Sequence, residues 1–497
     1  MSLFSRFRRT APGNQAHVDP HQWQLPSYTT SKSSEKQPLI PDPKIFTNGS
    51  IPSELSAGNI ETLLQYPNVS HAAVHLALLE CFRKLRLSAV TLDVEAHYPP
   101  AYEEKPTNNA SSGPTKLPES QRWDLLVRLA VARFAAWWSN IDLVFNHALA
   151  YARNPNPKAA IQLTKDYIPP LDVLLVWYTF MLDSDSYRAA CCARERDIPR
   201  LQQLCFPWPA IRDAIDMEKL ELTLSRGAQN LFSTLSGQSA DILAYLNKPP
   251  AYADADSLPF GVDLFSEVKK HESFMERAHS LLWIRAPALN GSLERASTEY
   301  FDWQLKDPST TSIASEMPFG VDLFWRTHRL FPSHYELFLL EIETIEESSE
   351  PKQHVSQNQV LGSEPENRSK CSCWTCERIR ENVPTFVHIP AAHASSSSSS
   401  SSTHAYLTSL PPDQLRQIQD DLGFYHAVEG ARARGDPLPT RPATNAERVA
   451  ERTAKEKQTR LGYLPGLHEY VEVLPDGRRK IRKQKHASPW AGLSWAT

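Results

Sequence analysis

Three cysteines within six positions, Cys371, Cys373 and Cys376, are the residues whose type and spacing are best suited to chemistry. The turn of a C-x-x-C motif brings both thiols to the same side, so they can bind one metal ion. A structural zinc takes four ligands at tetrahedral angles, with Zn–S distances of about 2.3 Å. The motif therefore predicts a zinc site whose fourth ligand comes from elsewhere in the chain.

The favoured fourth ligand is His328, in the segment Trp325-Arg-Thr-His-Arg-Leu, and His388 is the next candidate. His334 is also near in sequence, but it lies almost two turns from His328 if the helix continues. Three cysteines and one histidine would form a closed, structural site, because a catalytic zinc keeps one position open for water or substrate. The alternative is that these cysteines are small buried apolar residues.

A second candidate site is a basic cluster near the C-terminus, with six cations and no acid in eight positions. The cations are Arg478, Arg479, Lys480, Arg482, Lys483 and Lys485. Such clusters are typical of nuclear import signals and of patches that bind nucleic-acid phosphates, and a solvated tail is the third interpretation. The preceding segment from Tyr470 predicts a β-hairpin, because Pro475-Asp476-Gly477 is typical of a turn.

The sequence contains none of the common catalytic motifs, namely G-x-S-x-G, G-x-G-x-x-G, the P-loop and H-E-x-x-H. His334-Tyr-Glu336 formally matches the His-x-acid half of an iron(II) facial triad. That motif normally lies on the strands of a barrel, whereas the sequence around it here has a helical pattern. The sequence therefore leaves the question of an enzyme open and favours a non-enzymatic protein.

The elements that must position these residues are predicted to be helices. Apolar residues recur every three or four positions from about Asn68, at Ala72, Leu76, Leu79 and Phe82. A wider stripe from Val127 to Ala148 predicts one long helix, which Asn154-Pro-Asn-Pro ends.

Two further segments predict helices. Pro169-Pro170 suits the first turn of a helix over Leu171–Leu182, although a buried strand is the alternative. Asp263 is a suitable N-cap for an amphipathic helix that begins at Leu264. Four tryptophans lie on apolar helical periods, which is typical of a core rather than of a platform that stacks bases: Trp137, Trp138, Trp177 and Trp325.

The composition is that of a globular protein, with 41% apolar and 22% charged residues. A formal net charge of −4 gives no overall attraction to nucleic acid. The longest mostly apolar run, Val173–Leu182, is shorter than the ~20 residues that cross a bilayer, so no membrane helix is predicted. Seven cysteines without a secretory signal predict reduced thiols in the cytosol or nucleus. A mitochondrial presequence at Met1–Thr10 is the alternative.

These patterns predict a mainly α protein with an uneven organisation. Residues 1–55 are expected to be a disordered N-terminal segment. Residues 56–385 are expected to form a helical globular body that carries a polar insertion at 343–370. A Ser-rich linker at 386–410 then leads to a weakly ordered basic region at 411–497, with one short helix and the hairpin.

Two internal similarities accompany the helices. The heptapeptide Pro-Phe-Gly-Val-Asp-Leu-Phe occurs at 259–265 and again at 318–324. A looser pattern, Trp-x-Thr-x-x-Leu with a tyrosine ten residues after the tryptophan, begins at Trp177 and at Trp325. Either the same residues were selected twice because they start a helix and fill a core, or both similarities come from an ancient duplication.

Several motifs between residues 69 and 380 occur together. They are Leu79-Glu80, Arg122-Trp123, Ala132-Arg133-Phe134-x-x-Trp137-Trp138, Pro169-Pro170-Leu171-Asp172-Val173-Leu174-x-Val176-Trp177, Phe206-Pro207-Trp208, Trp283-x-Arg285-x-Pro287-Ala288-Leu289, Val321-Asp322-Leu323-x-Trp325-x-Thr327-His328 and Cys371-x-Cys373-Trp374-x-Cys376-Glu377. With this combination the chain resembles a fungal member of the glycine-rich-domain-containing-protein-like family, whose founding relatives are plant proteins.

The resemblance implies a family without an assigned reaction. Some members carry a 2-oxoglutarate-dioxygenase label, and plant relatives have been linked to RNA binding and to stress or developmental roles. Relatives usually carry histidine after the tryptophan in both Trp motifs, where this chain has Tyr178 and Arg326. A glycine-rich tail is also missing from this chain.

The leading interpretation is a non-enzymatic intracellular interaction or scaffold protein with a structural zinc. In it, the three cysteines and His328 would pin the helix of Trp325 to the loop that follows. The first alternative is an RNA-associated protein that uses the basic tail, and a nuclear import receptor is another partner for the same cluster. The second alternative is a metal-dependent, 2-oxoglutarate-type oxygenase.

Overall fold

The computed structural model describes residues 41–52, 60–91, 118–150, 159–243, 261–306, 317–348, 372–382, 412–439, 449, 452–455, 463–464, 469–473 and 479–483. Residues 41–52 of the predicted disordered segment are described: they contain the 3₁₀ turn Pro43–Phe46, and Ile45 is buried in the core. The rest of that segment, most of the polar insertion and the Ser-rich linker lie outside the described residues. Of the described residues, those up to Gly430 belong to one compact unit and those from Ala431 to a second.

The first unit is built from helices, which confirms the mainly α prediction. Its helices are α1 (Ile60–Leu63), α2 (Val69–Thr91), α3 (Glu119–Ser139), α4 (Ile141–Ala150), α5 (Leu171–Leu182), α6 (Ser184–Ala193), α7 (Trp208–Ala214), α8 (Arg226–Ser236), α9 (Leu264–Leu281), α10 (Leu289–Lys306), α11 (Phe319–Arg329), α12 (Pro332–Ser348), α13 (Trp374–Asn382) and α14 (Pro412–Arg434). Short 3₁₀ turns lie at Pro43–Phe46, Leu201–Gln203 and Trp283–Arg285, and a two-residue ribbon pairs Ile215–Asp216 with Glu221–Leu222.

Helix α2 lies at the centre of this unit. It packs against α3, α5, α7, α9, α10 and α11. Every residue from Ser70 to Phe82 is buried, so the helix has no solvent face along three turns. A helix that is apolar on all sides must be surrounded by others, and this helix is the core around which they assemble.

The predicted long helix over 127–148 is instead two helices, α3 and α4, which meet at Asn140. The Asn140 amide N–H bonds to the Trp137 and Trp138 carbonyls, and its side chain donates to the carbonyls of Ala136 and Leu235. Asparagine ends helices in this way because its short amide competes for backbone partners. The apolar stripe continues through the break, since its members are buried in both helices.

The other predicted helices are confirmed. Residues 171–182 form α5 rather than a strand, and every residue from Asp172 to Leu182 is buried. The Asp263 carboxylate accepts from the Ser266 amide at 3.2 Å and so caps α9. The tryptophans at 137, 138, 177 and 325 are all buried, which confirms their assignment to the core.

Two helices extend beyond their predicted ends. Helix α12 continues through Ser348, six residues into the segment predicted as an insertion. The short helix predicted around Leu415 is the 23-residue α14. Its Ile418 and Leu422 belong to the core cluster of the body. Alanine, arginine and glutamate are good helix formers, and their abundance after Leu422 allows the helix to continue.

The repeated heptapeptide adopts two different structures. In the first copy the helix starts only at Leu264, and Asp263 is its N-cap. In the second copy the helix starts at Phe319, so Asp322 lies inside it and pairs with Arg326 at 2.6 Å. The same seven residues therefore begin helices at different points, and the shared sequence does not make two equivalent sites.

We expect Gly320→Ala to lower the free energy of unfolding by about 1–3 kcal/mol. A Cβ atom at Gly320 would lie 2.6 Å from the Ala296 Cβ, so α10 and α11 would have to separate. Gly291→Ala, in α10, is the matched control, because its Cβ would meet only the flexible ends of two side chains, Arg295 at 3.2 Å and Glu381 at 3.4 Å. The control is expected to be neutral or to gain up to about 1 kcal/mol. Urea denaturation of both variants compares them, and equal effects would contradict the close packing.

The second unit contains an antiparallel sheet of β3 (Tyr463–Leu464), β4 (Glu469–Val473) and β5 (Arg479–Lys483). The pairing of β4 with β5 confirms the predicted hairpin. Its register places Glu469 opposite Lys483 and Glu472 opposite Lys480. In the part of the chain that the structure describes, no helix has the length and apolar character needed to cross a bilayer.

Candidate functional site

Several of the polar groups buried in the body are histidines, and one of them, His75 of α2, is fully buried. Its Nδ1 lies 2.8 Å from the Thr327 hydroxyl and its Nε2 lies 2.9 Å from the Tyr178 hydroxyl. The Thr327 hydroxyl donates to the Leu323 carbonyl, so it must accept from His75. Nδ1 of His75 therefore carries a proton. Because burial lowers the pKa of His75, the ring is neutral at pH 7, so Nε2 accepts from the Tyr178 hydroxyl. One imidazole thus joins α2, α5 and α11.

Beside it, Arg326 of α11 donates from Nη1 to the Nδ1 atom of His271 in α9, at 2.5 Å. The Nε of the same guanidinium binds the Asp322 carboxylate at 2.6 Å, and its plane lies over the Phe274 ring. Because Nδ1 of His271 accepts this bond, that imidazole is also neutral. The Tyr178 and His271 rings pack edge to face at 6.1 Å, so the two histidine groups adjoin.

A third group is a chain of Tyr300, His328 and His334. The Tyr300 hydroxyl lies 2.8 Å from His328 Nδ1, and His328 Nε2 lies 2.9 Å from His334 Nδ1. When the Tyr300 hydroxyl donates to His328 Nδ1, His328 Nε2 donates to His334 Nδ1. The proton on His334 Nε2 is then the one in this series of hydrogen bonds that has no acceptor. That nitrogen is buried and has no hydrogen-bond partner among the described residues.

The fifth histidine, His71, is fixed by the backbone. Its Nδ1 accepts from the Asn68 amide at 3.2 Å, and its Nε2 donates to the Ser50 carbonyl at 3.0 Å. His71 lies one turn before His75 on α2, and it contacts the rings of Tyr66 and Phe331. It therefore holds the segment that contains Ser50 against the central helix.

Burial sets the charge state of all five histidines. Burial and, to a smaller extent, the guanidinium of Arg326 lower the pKa of His75 and His271 to about 3. Burial lowers the pKa of His71 and His334 to about 4, and that of His328 well below its ordinary value. An interior of low polarity disfavours the charged imidazolium, and among the described residues no carboxylate bonds to these rings to offset it. At neutral pH these side chains act as uncharged hydrogen-bond bridges.

The structure describes two of the three motif cysteines, one on the first turn of α13 and one immediately before it. Cys376 is buried, and Cys373 is partly exposed just before the helix, where its carbonyl accepts from the Glu377 amide at 3.0 Å. Cys371 and His388 lie outside the described residues. Among the described residues, no group of three histidine, cysteine, aspartate or glutamate side chains is arranged to hold a metal ion. The zinc site stays a prediction.

The residues between and beside these cysteines attach the segment to the body. The Trp374 indole donates to the Leu281 carbonyl at 2.8 Å, and the Trp283 indole donates to the Ser372 carbonyl at 2.7 Å. The Glu377 carboxylate accepts from Ser292 at 2.8 Å and from Arg295 at 2.6 Å, and Arg380 also bonds to it. Glu377 therefore holds α13 on α10, whereas Ser372 and Trp374 attach the segment to the end of α9 and to the 3₁₀ turn that follows it.

His328, the favoured fourth ligand, is fully buried on α11, and both its ring nitrogens already have partners in Tyr300 and His334. It could bind a metal only by giving up one of these bonds. The facial-triad motif also falls on a helix, α12. There His334 is directed into the core, whereas Glu336 is 44% exposed and lies 3.5 Å from Arg188. The structure does not bring this His and Glu together.

The family that the sequence resembles usually has histidine at two positions that, in this chain, bond to the buried histidines. Tyr178 bonds to His75, and Arg326 bonds to His271. The sequence reasoning missed His71, His75 and His271. A signal was present in α2, where His71 and His75 stand four residues apart in an otherwise apolar run.

The basic cluster is only partly described. Arg479, Lys480, Arg482 and Lys483 lie on β5, and Arg478 and Lys485 lie outside the described residues. The comparisons with known proteins identify no relative: no family model, no curated protein and no solved structure matches the chain.

Proposed function

We propose that the chain is a non-enzymatic interaction or scaffold protein of the cytosol or nucleus, related to the glycine-rich-domain-containing-protein-like family. In this proposal the Cys-x-Cys-x-x-Cys segment holds a structural zinc. The observation that supports it most is the attachment of this segment to the body through Trp283, Trp374 and Glu377. A metal there would add to the contacts that hold residues 372–382 on the body.

The geometry of α13 suits thiolate ligands. Cys373 and Cys376 are three residues apart at the start of the helix, where the helix dipole stabilises negative charge and lowers the pKa of a thiol. Cys371 would supply the third sulfur. The fourth ligand is then either His328, after it gives up a hydrogen bond, or His388. A closed site of this kind supports folding and takes no part in a reaction.

We expect elemental analysis of the purified full-length protein to find one zinc per chain. The Cys373→Ser variant is expected to contain none, because three donors hold zinc too weakly to survive purification. Cys192→Ser is the matched control: Cys192 is exposed on α6 and is expected to leave the zinc content unchanged. His328→Gln and His388→Gln then identify the fourth ligand, because only the variant that lacks this ligand should be purified without zinc.

Circular dichroism of each variant separates loss of metal from loss of fold. A parent protein without zinc, or a Cys373→Ser variant that keeps it, would contradict the proposed site.

A second candidate function, association with RNA, is favoured by the hairpin at the C-terminal end. Strand β5 carries four of the six clustered cations on a paired β-ribbon, and such ribbons can present positive charge along one edge. Glu469 and Glu472 stand opposite Lys483 and Lys480 and reduce the net charge of this ribbon.

If RNA is the partner, retention of the full chain on single-stranded RNA should fall steeply with salt, with a log–log slope of up to about −4 for six neutralised phosphates. Replacing the six cations of residues 478–485 with glutamine should abolish it. The double variant Glu469→Gln/Glu472→Gln is the control: it removes two negative charges from the ribbon, so it should increase retention on RNA. Retention that does not depend on salt, or that survives the loss of the cations, would contradict this function.

A further inference from the structure

The sequence Asn-Gly-Ser occurs at 48–50 and again at 290–292. An asparagine before a glycine can lose ammonia without an enzyme, because glycine has no Cβ to hinder its approach. The glycine nitrogen attacks the asparagine Cγ, its proton leaves with the amide group as ammonia, and a five-membered succinimide forms. One water then opens this ring to aspartate or isoaspartate. The two copies share this chemistry, so only their structures can make them differ.

The first copy lies in the loop after the 3₁₀ turn Pro43–Phe46, where Asn48 is exposed. Among the described residues, nothing bonds to its side-chain amide or to the Gly49 N–H. The Asn48 N–H donates to the Ser70 hydroxyl at 3.2 Å, and its carbonyl accepts from Asn68 Nδ2 at 2.7 Å. Ring closure rotates the peptide that follows Asn48 and so breaks the second of these bonds, which is exposed and opens readily.

The second copy lies in the first turn of helix α10, and its asparagine is held there. Asn290 Nδ2 donates to the Glu294 carboxylate at 2.7 Å. The Ser292 amide donates to the Ala288 carbonyl at 2.9 Å, and the buried Ser292 hydroxyl donates to Glu377 at 2.8 Å. Rotation of the peptide after Asn290 away from its helical angle would break all the bonds of Ser292. The helix therefore keeps the Gly291 nitrogen away from the side chain that it would attack.

We propose that Asn48 is a site of spontaneous deamidation and that its conversion to isoaspartate loosens residues 47–50 from α2. In isoaspartate the main chain runs through the former side chain and is one methylene longer. The longer chain lies between the carbonyl bonded to Asn68 and the Ser50 carbonyl, which accepts from His71 Nε2 at 3.0 Å. The product also gains a negative charge. Both changes act on the short segment that these bonds hold against α2.

The test incubates the full-length protein at pH 7.4 and 37 °C for four weeks. Peptide mass spectrometry with electron-transfer fragmentation then distinguishes asparagine, aspartate and isoaspartate at both positions. We expect Asn48 to react at least tenfold faster than Asn290 in the folded protein. In 6 M guanidinium chloride the two should react at similar rates, because only the fold separates them. Gly49→Ala should slow the reaction of Asn48 at least tenfold, since the added methyl group hinders the attack.

The Gly49→Ala variant is expected to fold, because its Cβ would meet only the Phe46 carbonyl oxygen among the described atoms, at 3.7 Å. Hydrogen exchange of the peptide that covers residues 45–50 should be several-fold faster in the aged parent than in the fresh protein, and unchanged in the aged variant. The proposal is overturned if folded protein keeps Asn48 intact, if Asn290 reacts as fast as Asn48, if Gly49→Ala reacts like the parent, or if ageing leaves this exchange unchanged.

Discussion

Acidification from pH 6.5 to about pH 5 is expected to unfold most of the helical body. The pKa values of His71, His75, His271, His328 and His334 are lowered in the folded protein, to between about 3 and 4 where a value is defined. The unfolded chain binds protons at these residues below about pH 6.5, whereas the folded protein does not until far lower pH. The stability that neutral histidines provide is therefore complete above pH 6.5 and is lost as the pH falls toward the folded pKa values.

The size of this effect follows from proton linkage. Each histidine that is protonated only in the unfolded state costs about 1.4 kcal/mol per pH unit. With five such residues, the free energy of unfolding falls by ~7 kcal/mol per pH unit, which is comparable to the whole stability of a typical domain. Burial raises the pKa of Asp172 and Asp322, so protonation of these two carboxyls acts in the opposite direction and offsets part of the loss.

Urea denaturation at pH 7.5, 6.5, 6.0 and 5.5 measures this dependence. His75→Gln is the comparison variant, since glutamine can keep a hydrogen bond and does not titrate. It should be less stable at neutral pH, but its stability should fall less steeply with acid, by about 1.4 kcal/mol per pH unit. A free energy of unfolding that stays constant between pH 7 and 5 would contradict the neutral histidine interior.

The second large effect is expected at the ion pair of Arg133 and Asp172, which is 2% and 1% exposed. The guanidinium Nε and Nη2 atoms lie 2.7 and 3.4 Å from the two carboxylate oxygens, and Nη1 donates to the Ser239 carbonyl at 2.8 Å. This pair joins α3 to α5. We expect Asp172→Ala to lower the free energy of unfolding by about 3–5 kcal/mol, because it leaves a buried positive charge that cannot be neutralised.

The partner variant is expected to behave differently. After Arg133→Met, Asp172 can take up a proton, because burial raises its pKa. This variant should therefore cost less than Asp172→Ala, and its cost should shrink as the pH falls. The double variant should be more stable than the sum of the two single changes predicts.

Asp185→Ala, which removes the exposed pair with Arg188, is the surface control and should change stability by less than about 0.5 kcal/mol. Additive losses in the Arg133–Asp172 double variant would show that the two side chains do not depend on each other.

Periodicity predicted the helical body because burial along one face is a local property of sequence. It located α2, α5 and α9, and it assigned Trp137 and Trp177 correctly to the core. It did not detect the break at Asn140, since the apolar stripe continues across it while a single side chain ends the helix. The length of α14 was underestimated because the prediction relied on an apolar face. The residues of α14 favour a helix, but few of them are apolar residues at helical spacing.

The interior polar groups could not be predicted in the same way. His75 is 103 residues from Tyr178 and 252 from Thr327, so neither bond leaves a pattern in the sequence. His328 was identified as a residue of interest, but a histidine that binds zinc and one that bridges Tyr300 to His334 look identical in a sequence. Only the packing of α10, α11 and α12 distinguishes the two roles, and it engages both ring nitrogens.

Imidazole ¹⁵N–¹H correlation spectra of histidine-labelled protein test most directly whether the buried histidines are neutral bridges between helices. His75, assigned by the signal that His75→Gln removes, is predicted to carry its proton on Nδ1 at pH 7 and to remain neutral for as long as the protein stays folded. A proton on Nε2, or a His75 ring that titrates near pH 6.5 in the folded protein, would contradict the account.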